Sequence, residues 1–167
     1  MVAADLQSLP IPVQEALLEI SDPEIPVLLI MDMGVVREVS VTDQHVDIKL
    51  TPTYSGCPAM DMMAVDIKRA LEKRGYTATV KLVLAPAWTT DWITPSGRAA
   101  LEAYGIAAPM DPQSDKYALI DGKRLVKCTQ CGSTNTKLVS QFGSTACKAL
   151  FQCEECLEPF DYFKCLT

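Results

Sequence analysis

Cys128-Thr129-Gln130-Cys131 is followed, after twenty-one intervening residues, by Cys153-Glu154-Glu155-Cys156. Two C-x-x-C pairs at this separation specify a four-thiolate metal site. The two-residue gap lets both sulfurs of a pair curl around one ion. The longer gap lets a hairpin carry the second pair back to close the tetrahedron. Zinc is the ordinary occupant of such a site, and iron also suits four thiolates. Four protein ligands leave no open position for a substrate, so Cys128, Cys131, Cys153 and Cys156 read as a structural staple for a segment too small to fold on its core alone. The chain from about Lys116 is therefore expected to be a zinc ribbon, short strands around two cysteine knuckles.

Seven cysteines raise disulfides as the rival reading. Their odd number argues against it. So does the start of the chain, Met1-Val2-Ala3-Ala4-Asp5-Leu6, which lacks a basic region leading into an apolar core. A cytoplasmic setting, where thiols stay reduced, is expected. Cys147, six residues before Cys153, is open to three readings: an alternative ligand, a second reactive thiol, or a small buried side chain. Cys165 is left equally open.

The chain of 167 residues fits one ordinary domain and a small appendage, and its 49% apolar content suffices for a packed core. No run of about 18 apolar residues is present, so no membrane span is expected. The net charge is −6. Residues 1–115 carry 8 Lys/Arg against 16 Asp/Glu, and residues 116–167 carry 7 against 5. An acidic main body argues against phosphate binding, and Lys123, Arg124 and Lys127 beside the knuckles are too few to mark a nucleic-acid partner.

Working back from the ribbon, Ala107 to Asp115 has the Pro- and Ser-rich composition of a linker. The expected organisation is a main domain over 1–106, a linker over 107–115 and the ribbon over 116–167. Within the main domain, Val13, Ala16, Leu17 and Ile20 have helical spacing, with Pro12 in the first turn and Ser21-Asp22-Pro23 as the stop. Val39 and Val41, then Val46, Ile48 and Leu50, alternate as a hairpin around Thr42–His45. Met60, Met63, Ala64, Ile67 and Leu71 share one face of a helix from Ala59 to Gly75. Val80, Leu82 and Leu84 then line one side of a strand. A further short helix opens at Thr94-Pro95-Ser96. The order helix, two strands, helix, strand predicts an α+β fold, a small sheet covered by helices.

Thr51-Pro52-Thr53-Tyr54-Ser55-Gly56-Cys57-Pro58 joins a strand to the long helix. Pro58 suits the first helical position and places Cys57 at the N-cap, where free backbone N–H groups and the helix dipole favour a thiolate. That geometry serves a metal ligand or a nucleophile; an inert buried cysteine is the plainer alternative. No base accompanies it, since the single histidine, His45, falls in the hairpin turn. Asp22 and Glu24, on the proline-stiffened loop Asp22-Pro23-Glu24-Ile25-Pro26, are suited to a cation or a partner, or to a plain rigid turn capped by Asp22. Trp88 and Trp92 mark either a partner surface or a core junction.

These motifs carry a resemblance. Asp22-Pro23-Glu24-Ile25-Pro26, the hairpin, and Thr51 through Pro58 followed by a helix resemble a small domain shared by iron–sulfur assembly factors, among them the cytosolic assembly factor of the human targeting complex and the bacterial SufT-like proteins. Trp88-Thr89-Thr90-Asp91-Trp92-Ile93, Gly143 through Leu150 and Glu158 through Lys164 are similar to the PaaD family of phenylacetate degradation proteins, the D component of ring 1,2-phenylacetyl-CoA epoxidases. The resemblance implies an accessory, non-catalytic role in aerobic phenylacetate breakdown, assisting iron or iron–sulfur assembly in the oxygenase or, above all, the iron–sulfur reductase. By that analogy Cys57 is the cluster-transfer thiol. One thiol supplies one ligand where a cluster usually needs four, so transfer would call on a homodimer, an external thiol or the client's own ligands. Direct participation in epoxidation is the alternative. Against it, the chain has neither a Glu-x-x-His pair for a di-iron site nor a Gly-x-Gly-x-x-Gly loop. A nucleic-acid-binding ribbon ranks below both.

Overall fold

A computed structural model describes residues 6–110 and 126–164. Contacts divide the chain into two units, the first holding residues up to Trp88 together with Trp92–Thr94, the second holding Thr89–Asp91 and the chain from Pro95 onward.

The first unit begins with α1 (Ile11–Leu18) and the single turn α2 (Ile30–Met33), followed by β1 (Val36–Thr42), β2 (His45–Leu50), α3 (Ala59–Glu72) and β3 (Thr77–Leu82). The alternating residues expected to form a hairpin do so: β1 and β2 pair antiparallel, with Asp43 adopting a left-handed φ of 54° in the turn. α3 then carries the chain back so that β3 pairs parallel to β2, which gives the order β1-β2-β3. One face of β2, Val46, Ile48 and Leu50, is buried along with Met60, Met63, Ile67 and Leu71 of α3 and Val13, Ala16 and Leu17 of α1. Gly75, at φ +84°, ends the long helix, and Tyr76 N–H closes onto the Leu71 carbonyl, a Schellman-type stop.

One local expectation needs correction. Leu82 and Leu84 do not lie inside: they are 52% and 62% exposed, and Val80 is half-buried. The reason is position. β3 is an edge strand that ends at Leu82, so Leu84 lies beyond it. The turn α2 also has no periodicity long enough to announce it.

The second unit contains α4 (Pro95–Tyr104), the short β4 (Ile106–Ala107), β5 (Thr136–Ser140), β6 (Lys148–Cys153) and β7 (Pro159–Phe163). The sheet order is β4-β7-β6-β5, antiparallel except where β4 runs parallel to β7. Linker-like composition set the expected boundary at residue 106, but β4 lends its backbone to β7 and the contacts group α4 with the ribbon. Residues 111–115 of the expected linker, the start of the ribbon with Lys123 and Arg124, and Cys165 lie outside the described residues. A core of Ala107, Val126, Ala149, Phe151, Phe160 and Tyr162 continues directly into Cys128 and Cys153. Phe151 stacks on Phe160 at 6.1 Å and meets Tyr162 edge-on at 5.6 Å.

Candidate metal centre and assembly loop

The two knuckles are built alike. In the first, Gln130 N–H donates to Cys128 Sγ at 3.4 Å, and in the second, Glu155 N–H donates to Cys153 Sγ at 3.4 Å. Each knuckle closes four residues after its first cysteine with a left-handed residue, Gly132 at φ +75° and Leu157 at φ +66°. Glycine takes that conformation freely, whereas a leucine is held there at a cost. The backbone then returns through Cys128 N–H to the Ser133 carbonyl and Cys153 N–H to the Glu158 carbonyl.

This construction brings all four sulfurs within 4.8 Å of one another, with Cys128–Cys156 at 3.7 Å and Cys131–Cys153 at 3.6 Å. Zinc–sulfur bonds of about 2.3 Å at tetrahedral angles place sulfurs about 3.8 Å apart. The donor set, its spacing and its N–H···S support therefore fit a metal ion. Cys128 and Cys153 are buried while Cys131 and Cys156 face outward. The Cys156 backbone N–H, ahead of those of Glu155 and the side chains of Cys131 and Cys156, brings the Cys153 thiol down to about 7 against the opposing effect of burial. Cys156 is pushed up to about 12: the Glu158 backbone N–H favours its thiolate, but burial and the crowding of Cys131, Cys153 and Cys128 outweigh it. Without a cation the cluster tolerates one thiolate far more readily than four.

Cys147 does not join this cluster. It precedes β6, whose far end is Cys153, and six extended residues span about 20 Å. The register thus removes the alternative-ligand reading.

In the first unit, Cys57 is half-buried at the start of α3. The loop folds through a turn in which Cys57 N–H donates to the Tyr54 carbonyl at 3.2 Å. The helix begins at Ala59 with Pro58, at φ −70° and ψ −19°, as its N-cap, one residue later than the expected Cys57, whose carbonyl accepts a long bond from Met60 N–H at 3.5 Å, so Cys57 lies just ahead of the cap. Among the described residues Cys57 belongs to no group of three or more cysteine, histidine or carboxylate side chains that could hold a metal. His45, at the opposite end of β2, is engaged with Thr77 at 2.7 Å and Thr79 at 3.0 Å on β3. A Cys57–His45 dyad is excluded by that placement.

Asp22 is 4% exposed, and its Oδ1 accepts from Glu24 N–H at 2.6 Å and Ile25 N–H at 2.8 Å. It fastens its own loop, while the Glu24 side chain is half-buried. Of the two tryptophans, Trp88 is buried and Trp92 half-buried. Trp88 is 2% exposed and its indole N–H donates to the Met33 carbonyl at 3.0 Å, while Trp92 lies under the Arg37 guanidinium, 3.4 Å from the ring centroid. Buried Thr51 and Thr53, in the loop ahead of Cys57, carried no signal in the sequence beyond their polarity.

Comparison with known proteins matches two separate stretches of the chain. Residues 12–82 match the family described as iron-sulfur cluster assembly protein, and residues 112–164 match the PaaD zinc beta ribbon domain. The chain is 48% identical to the Escherichia coli (strain K12) protein described as the putative D component of 1,2-phenylacetyl-CoA epoxidase, covering 89% of this chain and 88% of that protein. It is 34% identical to an Fe-S protein maturation auxiliary factor of Porphyromonas gingivalis (strain ATCC BAA-308 / W83), covering 44% of this chain and 71% of that one. The crystal structure of a domain of unknown function, DUF59, from Bacillus anthracis has a TM-score of 0.50 and 25% identity, covering 53% of this chain and 87% of that chain.

Proposed function

The chain belongs to the PaaD family, that of the D component of 1,2-phenylacetyl-CoA epoxidase, and from that premise we propose that it is the accessory maturation factor of that epoxidase in phenylacetate catabolism. Its work is iron–sulfur cluster assembly for the epoxidase components, with the iron–sulfur reductase as the client. One observation carries this reading: an assembly-type domain with a half-buried thiol at a helix entrance shares its chain with a four-thiol cluster whose ligands are all spoken for.

The two sites divide the labour. Cys128, Cys131, Cys153 and Cys156 hold zinc, whose chemistry there is to neutralise the thiolates and staple the two knuckles to the core. Cys57 contacts the iron or cluster in transit. The helix entrance favours its thiolate, and the remaining ligands come from the client, a small thiol or a second copy of the chain. Asp22 holds its own acidic loop in one shape. No helix among the described residues is long and apolar enough to cross a membrane.

The test is co-production of the epoxidase reductase with wild type or Cys57→Ala, followed by iron and acid-labile sulfide analysis of the purified reductase. The expected result is an intact, zinc-loaded variant beside a cluster-depleted reductase. Full cluster loading beside Cys57→Ala would sink the transfer role. The alternative, a structural subunit acting directly in epoxidation, requires that reconstituted oxygenase and reductase, both fully loaded with metal, turn over only when this protein is present.

A further inference from the structure

Among the described residues the two sheets end in the edge strands β1, β3, β4 and β5, and β3 differs from the other three. β1 and β5 each carry a register irregularity, between Val36 and Glu38 and between Leu138 and Ser140, and β4 is two residues long. Bulges and short strands are common means of keeping a sheet edge from pairing with another chain. β3 has neither. It holds unbroken parallel register with β2 from Thr77 to Leu82 and contains no proline.

The ladder decides which groups this edge presents. Thr77 N–H donates to the Gln44 carbonyl at 2.9 Å, and Val83 N–H donates to the Leu50 carbonyl at 2.8 Å. In a parallel pair, residues that bond one neighbour alternate with residues that face the other way. Thr77, Thr79 and Lys81 therefore bond β2, while Ala78, Val80 and Leu82 turn both N–H and C=O outward. The side chains of these three share the helix-covered face with Val46, Ile48 and Leu50. Cover is incomplete there: Val80 is half-buried and Leu82 is 52% exposed. On the other face exposed Lys81 stands beside Lys49 and forms no ion pair among the described residues. Lys49 is bound to Glu38 at 2.8 Å, and exposed Asp47 has His45 Nε2 at 3.9 Å.

We propose that β3 pairs antiparallel with β3 of a second copy of this chain, about a twofold axis at Val80. This register engages all three outward residues of both strands and brings the two helix-covered faces to the same side. Val80 opposes Val80, and Leu82 opposes Ala78, a large side chain against a small one. Charge favours the same arrangement. Lys81 opposes Thr79 of the second copy, and the β2 residue beyond that Thr79 is Asp47. Two strand spacings are about 10 Å, a gap that a lysine and an aspartate span together. Pairing thus gives Lys81 a carboxylate where its own chain gives it Lys49. Because the strands run in opposite directions, the Leu50–Leu82 ends, which lead into the Cys57 loops, point apart. The dimer carries two separate thiols, and its existence does not depend on the cluster-transfer role of Cys57.

The experiment is sedimentation velocity of the zinc-loaded full chain from about 1 µM to about 100 µM, where wild type is expected to pass from monomer to dimer. Val80→Pro removes the N–H at the twofold axis and leaves every bond to β2, so it should stay monomeric. Lys81→Glu gives Lys49 an opposite charge within the chain but sets carboxylates against each other across the interface. It should weaken dimerisation about tenfold, and adding Asp47→Lys should restore it. The denaturation midpoint of the first unit checks that each variant is folded, and Lys81→Glu carries the test should Val80→Pro not fold. Wild type that remains monomeric throughout overturns the pairing. So does a dimer that folded Val80→Pro and Lys81→Glu leave at wild-type strength. Monomeric wild type that binds an epoxidase component through an edge blocked by Val80→Pro overturns it too, in favour of a strand from that component.

Discussion

The sulfurs of Cys128 and Cys156, from opposite knuckles of the ribbon, lie 3.7 Å apart, the spacing of two thiolates on one tetrahedral ion. The core of the second unit runs into this cluster through buried Cys128 and Cys153, so the metal and the aromatic packing of Phe151, Phe160 and Tyr162 stand or fall together. Chelation of zinc, or Cys128→Ser, is expected to abolish the near-UV signal of the ribbon aromatics while the helical signal of the first unit persists. One zinc per chain in the untreated protein is the companion expectation. A chelated protein with unchanged aromatic packing and melting would show that the cluster is not a staple.

Acid should release the metal, and the sign follows from the thiols themselves. Cys153, lowered from 9.0 to about 7 by the Cys156 backbone N–H before all else, stabilises the metal-free fold as a thiolate. That contribution is complete above pH 9 and is lost as the pH falls through about 7. Cys156, raised to about 12, keeps its proton until a metal displaces it. Zinc binding at neutral pH must therefore expel more than one proton per site, and affinity should fall by more than about tenfold for each unit of acidification. Competition titration with a zinc chelator at pH 8, 7 and 6 measures the slope; a slope below one proton would contradict a four-thiolate site.

Gly34→Ala is expected to be among the most damaging single substitutions in the first unit. Gly34 sits at φ +74°, and a Cβ there would stand 2.5 Å from the Trp92 carbonyl oxygen and 2.7 Å from the Trp92 Cβ. Both obstacles belong to a segment that is itself fastened by Trp88 on Met33 and Arg37 over Trp92. Backbone strain and displacement together should cost about 2–4 kcal/mol, read as a fall in the denaturation midpoint of the first unit. A loss below about 1 kcal/mol would mean that this segment yields easily.

The elements legible in the sequence were those whose signal is local and periodic. Val46, Ile48 and Leu50 announced β2, and Met60 through Leu71 announced α3, because alternation and helical spacing survive in any tertiary setting. The four ribbon cysteines were legible because few structures other than a metal site demand two C-x-x-C pairs at that distance. What escaped notice depended on neighbours far along the chain. Leu82 resembles a core residue until β3 is known to be an edge. The polarity of the two tryptophan sites is settled by Met33 and Arg37, more than fifty residues earlier. Ile106 and Ala107 looked like the start of a linker because only a parallel partner, β7, makes them a strand. Leu157 gives no sign of its left-handed backbone, whereas Gly132, in the equivalent place, does.

The acidic loop offers the sharpest separation of scaffold from chemistry. Asp22 Oδ1 accepts the N–H groups of Glu24 and Ile25 inside a buried turn, and Asp22 N–H itself donates to the Leu28 carbonyl at 2.8 Å. Asp22→Ala strands the Glu24 donor and leaves Ile25 N–H only the Asp22 carbonyl at 3.2 Å, which should cost about 1–2 kcal/mol. Asp22→Asn retains an oxygen acceptor but gives up the charge, so it should cost less, about 1 kcal/mol. If the loop is scaffold alone, reductase co-produced with Asp22→Asn will carry its normal iron and sulfide, and only the less stable Asp22→Ala will lower them. Glu24→Gln should then be silent in both stability and cluster loading. If instead the carboxylates help receive the metal, Asp22→Asn will fold at near wild-type stability and still leave the reductase depleted. The hydrogen bonds to Glu24 and Ile25 favour the first outcome, because they occupy Asp22 Oδ1 from within the loop.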